Sequence, residues 1–189
     1  MKNRILLHGF LFILSLLIPG PGAGAQDWAL STNLLEYANL GTLNAEADYA
    51  VDRHWNLSAG VRYNPFSYDF GEDGSARNKQ QSYAIGVRYW PWHIYSGWWL
   101  AGKMQYQEYN VGGLVSRETR EGDRFGTGFT AGYSHMFTKW LNIEFGLGFW
   151  TGYDDYKKYA CPVCGVVTDS GKKFFVLPDD IIVAFSFIF

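Results

Sequence analysis

From Leu141 to Phe149 the chain alternates at every position. Leu141, Ile143, Phe145, Leu147 and Phe149 share one face of an extended strand, and Asn142, Glu144, Gly146 and Gly148 share the other. Strand side chains point alternately to opposite faces, so the pattern demands a sheet with one apolar side and one polar or small side. The same pattern recurs. Leu57, Ala59, Val61 and Tyr63 oppose Asn56, Ser58, Gly60 and Arg62. Ala45, Ala47, Tyr49 and Val51 oppose Asn44, Glu46 and Asp48, and Phe129, Ala131 and Tyr133 oppose Gly128, Thr130, Gly132 and Ser134. Turn residues separate eight such segments, predicted near Trp28–Glu36, Leu43–Val51, Trp55–Tyr68, Gln80–Trp90, Trp98–Gly112, Phe125–Phe137, Trp140–Tyr153 and Asp179–Phe189.

Two all-β architectures satisfy this pattern. A soluble sandwich would turn the apolar faces inward. An eight-stranded antiparallel up-and-down transmembrane β-barrel would turn them outward, and three features favour it. The polar faces carry Glu46, Asp48, Arg62, Arg88, Lys103 and Glu144, three acids and three bases. A small barrel fills its interior with side chains, and charges are tolerable there only when paired, so these six are expected to form a lumenal network. Solvated surface charges are the alternative. The connections also alternate: "VDRHW" and "MFTKW" are tight and "WPWHIYSGW" is moderate, whereas "DFGEDGSARN", "GGLVSRETREGDR" and 154–178 are long and polar. The short link between the first two segments breaks that order. Finally, Trp28, Trp55, Trp90, Trp92, Trp98, Trp99 and Trp140 gather near the short-turn ends, and Tyr63, Tyr68, Tyr83, Tyr106, Tyr109 and Tyr153 toward the loop ends. Two aromatic belts are expected of a wall that crosses a bilayer.

The rest of the chain bears on location. Lys2 and Arg4, the run "ILLHGFLFILSLLI" and the small residues Ala23-Gly24-Ala25 predict a secretory signal over 1–25, leaving the barrel at 26–189. Removing Lys2 and Arg4 from the 16 basic residues leaves 14 against 18 acidic, which offers no basic stripe for nucleic acid. Ile181, Val183, Phe185, Phe187 and Phe189 alternate to the last position. Backbone in lipid must be fully paired, so this segment is expected to close against the first, with its phenylalanines toward lipid. Phe185, Phe187 and Phe189 also resemble the terminal signal by which outer-membrane barrels reach their insertion machinery.

Chemistry has few footholds. Cys161-Pro162-Val163-Cys164-Gly165 has the form of a zinc or iron knuckle, but two knuckles normally meet, and these are the chain's 2 cysteines. In an exported protein two close cysteines tend to oxidise, so a Cys161–Cys164 disulfide in the last long loop is the expectation, with no metal and no cofactor. His54, His93 and His135 fall toward the short-turn ends, away from Ser67 and Ser116, so no nucleophile and base are brought together and no enzymatic activity is expected.

"STNLLEYA" (31–38), "RYNPF" (62–66), "VRYWPW" (87–92), "YNVGG" (109–113), "EGDRFGTGFTAGY" (121–133), "WLNIEFGLGFW" (140–150) and "CPVCG" (161–165) together resemble a bacterial family catalogued as domain of unknown function 3575. The resemblance implies an outer-membrane β-barrel of a Bacteroidetes-like lineage, and some relatives are associated with surface fimbriae. The chain departs from the family pattern after the cysteines, where it reads "FFVLPDDIIVAFSFIF". The expected protein is a small barrel of the cell outer membrane with a structural or interaction role at the cell surface. Its expected partners are outer-membrane lipid, the insertion machinery and surface or fimbrial proteins. The alternative is a barrel that binds a small apolar ligand, in the membrane or soluble in the periplasm.

Overall fold

A computed structural model describes residues 26–69, 75–112, 118–161 and 165–189. The strands are β1 (Trp28–Asn33), β2 (Leu43–Asp52), β3 (Trp55–Asn64), β4 (Ser67–Asp69), β5 (Ser75–Tyr89), β6 (Gly97–Gly112), β7 (Thr119–Met136), β8 (Leu141–Tyr159) and β9 (Val167–Ile188). One short helix, α1 (Leu34–Ala38), follows β1. Eight strands close into a ring, β1-β2-β3-β5-β6-β7-β8-β9 and back to β1, with every pair antiparallel; β4 pairs only with β5, outside the ring. The closure is the one expected: Ala29–Asn33 pair with Ala184–Ile188, and the amides of Trp28 and Phe189 each donate to the other's carbonyl, at 3.3 and 2.8 Å.

Polar and small residues face inward and apolar ones outward. The buried set includes Asp48, Asn56, Ser82, Arg88, Gln105, Thr130, Asn142 and Glu144, while Leu57, Ile85, Leu100, Phe129, Phe145 and Leu147 are exposed. The barrel is therefore inside out relative to a soluble domain. Glycine makes the small lumen workable on the β7–β8 wall. A Cβ on Gly132 or Gly146 would press into the Trp99 ring, and one on Gly128 into Lys103.

The strands are unequal. β1 has 6 residues and β2 and β3 have 10 each, whereas β8 has 19 and β9 has 22. At roughly 3.3 Å per residue, β5–β9 continue well beyond the ring as a projecting sheet. The segment 154–178, read from sequence as a loop, is thus mostly a long hairpin. Asp154 to Tyr159 pair with Lys173 to Val167, and Phe174 to Pro178 continue the ladder against Tyr153 to Phe149. Alternation persists there in polar residues, such as Asp154, Tyr156 and Lys158, and so gives no apolar face to reveal it.

The first boundary also differs from expectation. β1 ends at Asn33 rather than Glu36. The Asn33 side chain accepts from Leu35 and Val183 amides at 3.2 and 3.1 Å and donates to the Ile181 carbonyl at 3.0 Å. It caps α1 and replaces the ladder toward β9, and the good helix formers Leu34, Leu35, Glu36 and Ala38 then coil. The β5–β6 connection folds into the barrel mouth. Tyr95 has φ of 60°, and its carbonyl accepts from Asn142 at 2.5 Å and Ser134 at 3.4 Å. Tyr95 and Trp90 plug the turn rim from within, rings 5.9 Å apart.

Candidate functional site: two buried ion clusters

Inward alternation places Glu46 and Asp48 on β2, Arg88 on β5 and Glu144 on β8 at one level of the lumen. Arg88 reaches all three acids. Its Nη1 lies 3.0 Å from Glu144 Oε2 and its Nε 3.8 Å from Asp48 Oδ1, and Nη2 donates to Glu46 Oε1. The guanidinium also lies over the Trp99 ring, 4.5 Å from its centroid. Asn56 Nδ2 donates to Asp48 at 2.5 Å, and its Oδ1 accepts from Trp90 Nε1 at 2.6 Å. Around this cluster a cavity of about 70 Å³ is lined by Arg62, Ser82, Lys103 and Thr130. That is room for about two waters at roughly 30 Å³ each.

Four of the six residues predicted for a charge network, Glu46, Asp48, Arg88 and Glu144, thus meet directly. Lys103 and Arg62 line the cavity beside them, and Arg62 Nε pairs with Glu36 on α1 at 3.5 Å. Of the tryptophans expected at an outer interface, Trp28, Trp55, Trp92, Trp98 and Trp140 are exposed at the turn rim. Trp90 and Trp99 are corrected: they are 0% and 1% exposed and belong to the lumen. Trp99 has the parity of Lys103 and so points inward, whereas its neighbour Trp98 points out; Trp90 follows Arg88 on the inner face. The sequence alone held that parity.

A second cluster lies in the projecting sheet and was not anticipated. Asp154 on β8 is 0% exposed. It accepts from Tyr109 Oη at 2.7 Å and Arg120 Nη2 at 2.6 Å, with Arg124 Nε at 3.5 Å. Arg124 stacks on Tyr109 at 3.9 Å and Arg120 on Tyr156 at 4.5 Å. Gln107 joins the cluster to Gln80, accepting from Arg124 at 3.4 Å and donating to Gln80 at 2.7 Å. Farther out, Lys158 pairs with Asp169 at 3.5 Å and Tyr156 donates to the same carboxylate at 3.0 Å. That hydrogen bond, reinforced by Lys158, holds the Asp169 carboxyl below the usual range.

The outer wall is sorted as sharply. Tyr83, Tyr106, Phe125, Tyr153 and Phe174 are successive cross-strand partners and form one aromatic row. The next outward row is Gln81, Glu108, Asp123, Asp155 and Lys172. From the aromatic row down to the turn rim, the outward-facing strand residues include no Asp, Glu, Lys or Arg until Asp52, the side chains of Asp179 and Asp180 on β9 lying outside what is described. Phe185 and Phe187 lie on this face at the β1–β9 seam, and Phe189 is at the rim.

Among the described residues no group of His, Cys, Asp or Glu side chains is placed to hold a metal ion. His54 Nδ1 is engaged with the Trp90 carbonyl at 2.8 Å. Cys161 sits at the tip of the β8–β9 hairpin, and Cys164 lies outside the described residues, as does the signal expected over 1–25.

The model of a family described as "Protein of unknown function (DUF3575)" matches residues 10–189, essentially the whole chain, and the chain belongs to that family. No curated protein and no solved structure matches it.

Proposed function

We propose that the protein is a small barrel of the cell outer membrane, with a structural or interaction role carried by the projecting sheet. The observation that carries the reading is the outer wall. Along β6 the outward face carries no charge from Trp98 to Tyr106, between an exposed tryptophan rim and the aromatic row. Nine strand residues tilted by about 40° rise roughly 20–25 Å, close to the apolar band of outer-membrane barrels. An outer face of Leu57, Ile85, Leu100, Phe129 and Leu147 in water would be an exposed apolar surface far larger than monomers carry. The short turns would then face the periplasm and the projection the cell surface, with Phe185, Phe187 and Phe189 meeting lipid and the insertion machinery. Cys161 would lie on the projection, where oxidation with Cys164 would pin its tip.

The alternative, a barrel that holds a small apolar ligand, finds little support in the lumen. Ligand pockets run about 300–1,000 Å³ and are mainly apolar. The cavity here is about 70 Å³ and is bordered by Glu46, Arg62, Arg88, Lys103 and Glu144.

Cell fractionation tests the reading. The protein should stay in outer-membrane vesicles after a carbonate wash and should migrate faster on gels when unboiled. Release with soluble periplasmic proteins would overturn it.

A further inference from the structure

The projecting sheet has an unfinished side. β1 pairs with β9 only from Ala184 to Ile188, and Asn33 extends the contact to Ile181 and Val183. Val167–Pro178 is paired along one side by β8, and among the described residues no strand pairs with its other side. Twelve residues of edge therefore present alternate backbone N–H and C=O groups to solvent, with one N–H missing at Pro178. Such an edge is a template for another strand.

The side chains around it select what can join. Lys172 and Lys173 occupy the middle of the edge; Lys172, 78% exposed in its side chain, pairs with Asp155 of β8 at 3.3 Å, which leaves Lys173 and the arginines behind it as the main source of positive charge. Behind Lys173, on the inner face, stand Arg120 and Arg124, which share one buried acid, Asp154. Partial desolvation and the facing Arg120 guanidinium hold the Lys173 ammonium below the usual lysine range, a sign of local positive potential. A second copy pairing antiparallel about the midpoint of this segment would set Lys172 against Lys173, which opposes self-association in that register. Phe174 and Val176 are each 62% exposed beside them and offer apolar contact on the outer face.

We propose that Val167–Pro178 receives an extended acidic peptide strand of another protein, which completes the projecting sheet by backbone pairing. The inference deepens the interaction role above and is independent of the membrane location, so it can fail while that location stands.

The test uses the full barrel in detergent micelles and a synthetic peptide of five valine–glutamate repeats, read by amide hydrogen exchange. In the free protein, alternate amides of Val167–Leu177 should exchange at coil-like rates. With peptide they should slow roughly tenfold or more, the remainder of β5–β8 being unchanged. A valine–lysine peptide, or the valine–glutamate peptide N-methylated at every second residue, should give no slowing. Lys173→Glu should weaken the acidic peptide roughly tenfold while leaving the Asp154 cluster folded. The proposal is overturned if the edge amides are already protected without peptide or if neither peptide slows them. Equal binding of the N-methylated peptide, or of acidic and basic peptides, would overturn it too.

Discussion

The two ion clusters are mirror images in charge and differ in what surrounds them. In the lumen one cation, Arg88, is enclosed by three acids, Glu46, Asp48 and Glu144. In the projecting sheet one acid, Asp154, is enclosed by two cations, Arg120 and Arg124. The lumenal cluster joins β2, β5 and β8, which are not neighbours in the ring, so it braces the barrel across its interior. The outer cluster joins β6, β7 and β8, which are adjacent, so it stiffens a sheet that is already hydrogen-bonded. Solvent separates them further. The Arg88 side chain is 6% exposed, whereas those of Arg120 and Arg124 are 24% and 16% exposed. A buried ion can hold opposite walls together only where the walls surround it; on an open sheet the same chemistry leaves cations available to a partner.

Breaking each cluster at its central ion tests that difference most severely. Arg88→Met leaves three carboxylates in the lumen without their shared cation and should destabilise the barrel by about 3–5 kcal/mol in urea unfolding from lipid or detergent. Asp154→Asn leaves two arginines that water can reach and should cost about 1–2 kcal/mol in the same assay. Equal losses would remove the distinction between brace and stiffener.

The outer wall gives the next largest contrast. Phe129→Arg, midway along β7, should cost about 2–4 kcal/mol in a bilayer, while Phe174→Arg, in the aromatic row, should cost about 0–1 kcal/mol. Matching costs would place both positions at the same depth. Gly132→Ala sharpens the packing side of the lumenal cluster. Its Cβ would collide with the Trp99 ring and the Phe145 carbonyl, and Trp99 carries Arg88 on its face. A loss of about 1–3 kcal/mol is expected by urea unfolding, against almost none for Gly171→Ala, whose Cβ would meet only the Tyr156 hydroxyl at 4.0 Å.

The smallest effect is local. Asp169 is held below its ordinary value of 3.8 by Tyr156 and Lys158, so the contact is present above that value and is lost as pH falls through the lower folded value. NMR titration should find the Asp169 midpoint below 3.8, with the hairpin tip loosening there. A midpoint at or above it would remove the Tyr156–Asp169 contact.

Much of this architecture was legible in the sequence because alternation reports the face of every strand. It set Glu46, Asp48, Arg88 and Glu144 on a common inner wall, and closure of β9 on β1 followed from the apolar pattern of Ile181 to Phe189. Residue type misled where parity should have ruled. Trp90 and Trp99 were grouped with rim tryptophans, yet they share the inner face with Arg88 and Lys103, and glycines on β7 and β8 make the room they need. The Asp154 cluster was hidden for another reason. Beyond Tyr153 both faces of the hairpin are polar, so alternation carries no contrast in hydropathy and the segment reads as a loop. The helix at Leu34–Ala38 depends on Asn33 reaching Leu35, Ile181 and Val183 together, and two of those partners are distant in sequence.

The central claim is that the outer wall of the ring meets lipid while the projecting sheet meets water. Spin labels at single sites in liposome-inserted protein, read by collision with oxygen and with a water-soluble nickel complex, test it directly. Labels at Met104, Phe129 and Leu147 should favour oxygen, and labels at Asp155 and Lys172 should favour nickel. Nickel preference at all five sites, or oxygen preference at the inward Thr130 instead of Phe129, would contradict the account.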